Sequence, residues 1–383
     1  MIRRWFDDSR LEADDLADEE SLWWLASAGA RIRRAALSEP AGRLTRADRP
    51  RGVLVLGAEA RLVRAVLEPA CPVPFMAWPG PALPAWVGPL DLVVALGSHD
   101  APAWEVRGLA EAVRRGATVI AAAPDESALA AASAGPLTTH LPTPPDDPMA
   151  AAIAVLALLG QLELGPKVDV ELAASAADAV AVRCSPARPL GDNPGKDLAV
   201  GLADSFPLVW GGTTLAGRAS RRIAETLRRA SGRLALAADA EELEAVLLDT
   251  PRRDVFTDPF EQDAEIGPAL LLLDADQVPE PMTETARRLA RLADCVGVRV
   301  CHISSGMAEL GASDVERYVT LLLHGRYAAT YLGIGPRLRG KGRVKGFVPN
   351  PGRPGNAAPR GGTRHPSQER PGVAVGLGVN SGA

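Results

Sequence analysis

Short runs of consecutive apolar residues alternate along most of this chain with longer stretches in which apolar positions recur at helical spacing. Gly52–Leu56 (GVLVL), Cys71–Met76, Leu90–Leu96 (LDLVVAL), Ala117–Ala122 (ATVIAA) and Thr138–Leu141 read as strands. Between them, Glu59–Leu67, Trp104–Arg115 and Glu126–Ala132 read as helices. Strands that are apolar throughout and separated by helices predict a parallel sheet covered on both faces. Pro145–Leu162 and Val168–Arg183 continue as helices, the second taken as a connector. The alternation then restarts. Phe206–Trp210 (FPLVW), Arg233–Ala237, Pro268–Leu273 (PALLLL) and Gly297–His302 read as strands. Pro194–Ala203, Thr214–Ala230, Glu241–Leu248, Met282–Asp294 and Val315–Leu332 read as helices, Thr214–Ala230 with an arginine-rich outer face. The expected fold class is α/β, with two tandem flavodoxin-like, doubly wound parallel-sheet units.

The two ends differ from this middle. Residues 1–20 hold eight acids and three arginines and read as a solvated lead-in. A helix follows in SLWWLASAGARIRRAAL, with Trp23 and Trp24 expected as packing anchors. Residues 336–383 hold nine Lys or Arg and one acid, with no apolar periodicity, and are expected to be disordered. The expected division is a helical lead-in over 1–50, a first unit over 51–165, a connector over 166–190, a second unit over 191–335 and a basic tail over 336–383.

Composition narrows the function classes. The net charge is −5, which gives no general attraction to nucleic acid or anionic lipid; only the basic tail leaves an alternative. Hydrophobic residues make up 47 % and aromatics 4 %, so the core must rest on Ala, Val and Leu. The four scattered cysteines form neither a metal spacing nor a disulfide framework. No apolar stretch is long enough to span a bilayer, and the N-terminus lacks the apolar middle of a signal peptide. The expectation is a cytoplasmic protein that needs no metal and no cofactor.

Candidate chemistry must come from the loops at the carboxyl ends of the strands, where helix N-termini favour anions. Gly57-Ala58-Glu59-Ala60 is a poor phosphate cradle, because Glu59 would repel the anion. Gly97-Ser98-His99-Asp100 offers Ser98 and His99 to an oxyanion; the alternative is a capped turn without a ligand. Gly211-Gly212-Thr213-Thr214 is the best anion loop, with two glycines, two hydroxyls and Arg218 one turn beyond. Its alternative is a Thr-capped helix with an exposed basic face. Acids crowd 241–244 and 258–265, but no Gly-x-Ser-x-Gly elbow, Walker loop or HExxH motif occurs.

The stretch NPGKDLAVGLADSFPLVWGGTTLAGRASRRIAETL, with LWWLASAGARIRRAA before it and VERYVTLLLHGRYAATYLGIG after it, resembles the sugar isomerase (SIS) proteins. The closer likeness is to the bifunctional phosphoglucose/phosphomannose isomerase family, in a divergent actinobacterial branch. The resemblance implies binding of a sugar phosphate and interconversion of glucose 6-phosphate or mannose 6-phosphate with fructose 6-phosphate. It also implies a homodimer with the site between subunits. Carried onto this chain, it makes Glu244 the proton-shuttling carboxylate. Ser98, His99, Gly211, Gly212, Thr213, Thr214 and Arg218 become the phosphate and sugar contacts, expected around one cleft. The match is incomplete. The family's His-Asn-Glu string falls on Glu242-Leu243-Glu244, its Pro-Arg pair on Pro148-Met149, and its closing lysine has Lys341 as the nearest counterpart. The alternative function is a non-catalytic phosphosugar-binding or regulatory dimer.

Overall fold

The computed structural model describes residues 4–37, 49–57, 59–98, 100–145, 147–251, 266–274, 280–306 and 312–338. The chain begins with β1 (Arg4–Phe6) and two short 3-10 turns, then α1 (Glu20–Ala26) and α2 (Ala28–Leu37). The first sheet unit contains β2 (Gly52–Gly57), α3 (Ala60–Leu67), β3 (Phe75–Ala77), β4 (Asp91–Leu96), α4 (Ala103–Arg114), β5 (Thr118–Ala123), α5 (Ala128–Ala132) and β6 (Thr138–Pro142). Two long helices follow, α6 (Pro148–Gln161) and α7 (Val170–Arg183). The second unit contains α8 (Pro194–Leu202), β7 (Ser205–Gly211), α9 (Thr214–Ser231), β8 (Leu236–Ala237), α10 (Ala240–Leu248), β9 (Gly267–Leu273), α11 (Met282–Cys295), β10 (Arg299–Ile303) and α12 (Asp314–Ile334). The last described strand is β11 (Pro336–Leu338).

The main sheet of each unit is parallel, in the orders β3-β2-β4-β5-β6 and β10-β9-β7-β8. The period of two along each strand sorts side chains between layers. Val53 and Val55 face the central core, while Leu54 and Leu56 face the layer under α4. Val209, Leu271 and Leu273 face the same central core from the other sheet, and Leu208, Trp210 and Leu272 face α10 and α11. The central core between the sheets is a helical layer drawn from α1–α3, α6–α9 and α12. This explains α6, whose sequence is apolar nearly all round, and α12, which is buried along most of its length although it carries His324 and Arg326: both are enclosed by protein.

Four expectations need correction. Residues 7–18 are not a solvated lead-in, since Leu11 and Leu16 are buried in the central core. Ser27 interrupts the expected single helix, giving α1 and α2. Trp23 is no packing anchor: it is 66 % exposed and its Nε1 donates to Ala17 O at 2.5 Å, whereas Trp24 is partly buried with Arg31 over its ring. The tail does not begin at residue 336, because β11 pairs antiparallel with β1, Phe6 opposite Pro336. Residues 339–383, and the expectation of disorder for them, lie outside the described residues.

Candidate functional site

The turn after β7 is built by close approach. A Cβ on Gly211 would lie 2.3 Å from the carbonyl carbon of Ala216, so only glycine lets α9 start this tightly against its strand. Thr213 then caps α9, its hydroxyl accepting from Ala216 N at 3.1 Å. Thr214 is exposed, and the first-turn N–H groups beside it precede the helical hydrogen-bond ladder. The arrangement leaves the Thr213 hydroxyl proton and the start of an 18-residue helix to meet an anion.

The arginines beyond this turn do other work. Arg218 pairs with Glu68 at 3.2 Å, and Arg222 is buried against Glu59 at 3.0 Å. Glu59 is fully buried and also takes Arg326 Nη2 at 3.2 Å. Of the five arginines of α9, Arg218 and Arg222 are therefore tied to the acids at the ends of α3, while Arg221, Arg228 and Arg229 are exposed and form the outer face expected from sequence. Glu59, read from sequence as a poor phosphate loop, is the hub that ties β2 and α3 to α9 and α12.

These pairs also fix direction. At the start of α3 Glu59 meets Arg222 and Arg61 meets Glu225 at 2.9 Å, and at its end Glu68 meets Arg218, nearer the start of α9, so the two helices cross in opposed senses. Each helix starts at the carboxyl end of its own strand. The carboxyl edges of the two sheets therefore point in opposite directions. Thr214 lies eleven residues before Glu225, about 16 Å along α9 at 1.5 Å per residue. Ser98 lies at the other edge, beyond β4, whose Leu96 is level with Gly57. One copy of the chain does not bring Ser98 and the 211–214 turn into the single cleft expected from sequence. His99 lies outside the described residues.

Glu244 sits on α10, in the outer layer beyond the second sheet. Its carboxylate pairs with Arg288 of α11 at 2.7 Å. It is thus held between two helices rather than at a strand end. Sequence reading missed a different carboxyl, Glu105, in the first turn of α4 just past the Ser98 turn. Glu105 is 7 % exposed, and no hydrogen bond or ion pair holds it among the described residues. It shares a helix face with Gly108, Leu109 and Ala112, which pack on the sheet. Burial pushes its carboxyl up to about 7. The signal in the sequence was an acid at a position of the apolar stripe of α4.

Among the described residues no cluster of His, Cys, Asp and Glu could hold a metal ion, and no helix is long and apolar enough to cross a membrane.

Comparison with known proteins places the fold first. The C-terminal domain of glucosamine-fructose-6-phosphate aminotransferase from Francisella tularensis aligns with a TM-score of 0.59 at 10 % identity, covering 85 % of this chain and 99 % of that one. A hypothetical protein from Thermus thermophilus gives 0.57 at 13 % identity, covering 87 % and 94 %. The tagatose-6-phosphate ketose/aldose isomerase of Escherichia coli gives 0.54 at 14 % identity, covering 84 % and 91 %. This is the α/β fold of the SIS proteins. Residues 191–337 match the model of the bacterial phospho-glucose isomerase C-terminal SIS domain, so the second unit carries the resemblance to that family at sequence level. None of the curated proteins matches the chain by sequence.

Proposed function

We propose that the chain is a cytoplasmic sugar-phosphate-binding SIS protein, working as a homodimer and holding its ligand without proton transfer by Glu244. The supporting observation is the Gly211–Thr214 turn, a glycine-built start to a long helix with a hydroxyl cap and an exposed threonine. The names of the similar structures, which concern glucosamine-fructose 6-phosphate and tagatose 6-phosphate, make hexose phosphates the class to try. A ligand that binds only the folded state raises stability by about 2.7 kcal/mol at a hundred times its Kd. Glucose 6-phosphate, mannose 6-phosphate or fructose 6-phosphate should therefore raise the Tm, and glucose should not. Thr213→Val with Thr214→Val should remove the shift. If none of the three moves the Tm of the native chain, the reading fails.

Glu105 favours a second reading, aldose–ketose isomerisation between glucose or mannose 6-phosphate and fructose 6-phosphate. A carboxyl that titrates near neutrality beside the Ser98 turn is suited to take the C2 proton of the aldose and return it to C1. Glu105→Gln should then cut turnover by roughly 10²–10⁴, the usual worth of a general base, while Glu244→Gln leaves it within a few-fold. No fructose 6-phosphate formed from either aldose at high enzyme concentration would sink this reading and leave the first standing.

A further inference from the structure

A cleft of about 210 Å³ opens at the carboxyl end of β10, between α7 and the start of α12. It is separate from Ser98, Glu105, Glu244 and the 211–214 turn, none of which lines it. Its deepest polar group is His324, 3 % exposed. His324 Nδ1 lies 3.0 Å from Thr320 O, one turn back on its own helix, so Nδ1 carries the proton. Nε2 is left as an acceptor, with no partner among the described residues. Arg183, at the end of α7, lines the same cleft and is exposed; among the described residues its guanidinium makes no ion pair. Glu316 lines it too. Its Oε1 is taken by the N–H and hydroxyl of Ser313, at 3.0 and 2.6 Å, which leaves Oε2 to accept.

One wall is held rigidly. Asp274, fully buried at the end of β9, accepts from Ser305 N at 2.6 Å, Ser305 Oγ at 2.8 Å and Arg317 Nη2 at 3.1 Å. It does so at φ +49°, a left-handed conformation uncommon outside glycine, which persists where surrounding bonds enforce it. Ser305, just past β10, and Arg317, on α12, are thus fixed in place before any ligand arrives.

The donor and acceptor pattern selects the ligand. A guanidinium asks for an anionic group. A neutral imidazole nitrogen and a carboxylate oxygen ask for hydrogen-bond donors, and a bare anion would meet Glu316 unfavourably. At about 210 Å³ the space suits a small molecule. We propose that this cleft is a binding site for a small hydroxylated anion, its charge on Arg183 and its hydroxyls donated to His324 Nε2 and Glu316 Oε2. The anionic group is a carboxylate or a phosphate ester, and the site stands whether or not the hexose-phosphate reading holds.

Calorimetric titration of the full chain tests this with glycerate, glycerol 3-phosphate, inorganic phosphate and glycerol. Glycerate or glycerol 3-phosphate should bind, the better of the two identifying the anionic group, and phosphate and glycerol should each bind at least about tenfold more weakly. Arg183→Met, at an exposed position, should weaken the binding by roughly tenfold or more. Thr213→Val and Ser98→Ala should leave it unchanged. In the histidine nitrogen NMR spectrum, the Nε2 signal of His324 should move on saturation. The proposal is overturned if neither hydroxylated anion binds at about 10 mM, near the weak limit of specific affinity. Equal binding to the Arg183 variant, or binding lost in the Thr213 variant, overturns it as well.

Discussion

At the scale of single residues, three buried ionisable groups control how the molecule responds to change. Glu59 lies between Arg222 and Arg326, and removing one partner of such a set leaves charge buried without compensation. Glu59→Ala should therefore cost about 3–5 kcal/mol in urea unfolding, far more than an exposed pair such as Arg64–Glu68 would. His324 and Glu105 act through protons, with opposite signs. Burial first, and then Arg183, push the His324 imidazole down to about 4 from 6.5, with the Glu316 carboxylate across the same cleft. Between those pH values the unfolded chain binds a proton that the folded chain refuses, so stability falls as pH drops from 6.5 towards 4. At 1.36 kcal/mol per unit the loss amounts to about 3 kcal/mol. Glu105 is raised from 4.5 to about 7, so the folded chain holds the extra proton in that window. Its contribution is complete below pH 4.5 and is lost as pH rises through 7. The two slopes offset each other over most of pH 4.5–6.5. Urea midpoints across this range should show Glu105→Gln losing stability in acid more steeply than the native chain. His324→Gln should lose it less steeply. Parallel profiles in all three would contradict both assignments.

At the scale of elements, strand and helix order was legible because the apolar runs are so uniform. Leu92–Leu96 and Leu270–Leu273 are buried on both faces and leave no other reading. What the pattern could not show was which partner each polar residue would find. Arg222 lies on α9 among exposed arginines, and only the distant Glu59 turns it inward. Leu11 and Leu16 are isolated apolar residues in an acidic stretch, and they are buried by α12 and its neighbours rather than by any local periodicity. The candidate site was legible at Gly211–Thr214, where local chemistry suffices, and illegible at His324, whose cleft is made by three elements far apart in sequence. The turn itself makes a sharp prediction. Gly211→Ala puts a methyl carbon 2.3 Å from Ala216, so either the turn opens or α9 shifts. Overpacking of this kind typically costs about 1–3 kcal/mol, and the Tm should fall accordingly. Thr213→Ala removes only the cap, about 1 kcal/mol. A Gly211→Ala protein of native Tm would mean that the tight start of α9 is not what holds the turn.

At the scale of the whole molecule, the opposed senses of α3 and α9 set the hardest constraint on function. They put Ser98 and the 211–214 turn at opposite edges of one chain, so a sugar phosphate touching both must lie between two chains. Cyclic two-fold pairing is the commonest arrangement that brings one edge of a molecule against the other edge of its copy. The proposed homodimer then carries two composite sites, each with Ser98 from one chain and Thr213–Thr214 from the other. Subunit mixing distinguishes this from a site within one chain. Ser98→Ala and Thr214→Val homodimers should each bind hexose phosphate weakly at both sites. When the two variants are unfolded together in equal amounts and refolded, random pairing makes about half of the dimers mixed. Each mixed dimer has one site with both residues native and one with neither, so about a quarter of all sites regain full affinity. Titration of the mixture should reveal that fraction as a tight phase absent from either parent. If the mixture binds as the plain average of its parents while sedimentation confirms dimers, Ser98 and Thr214 do not share a ligand across the interface.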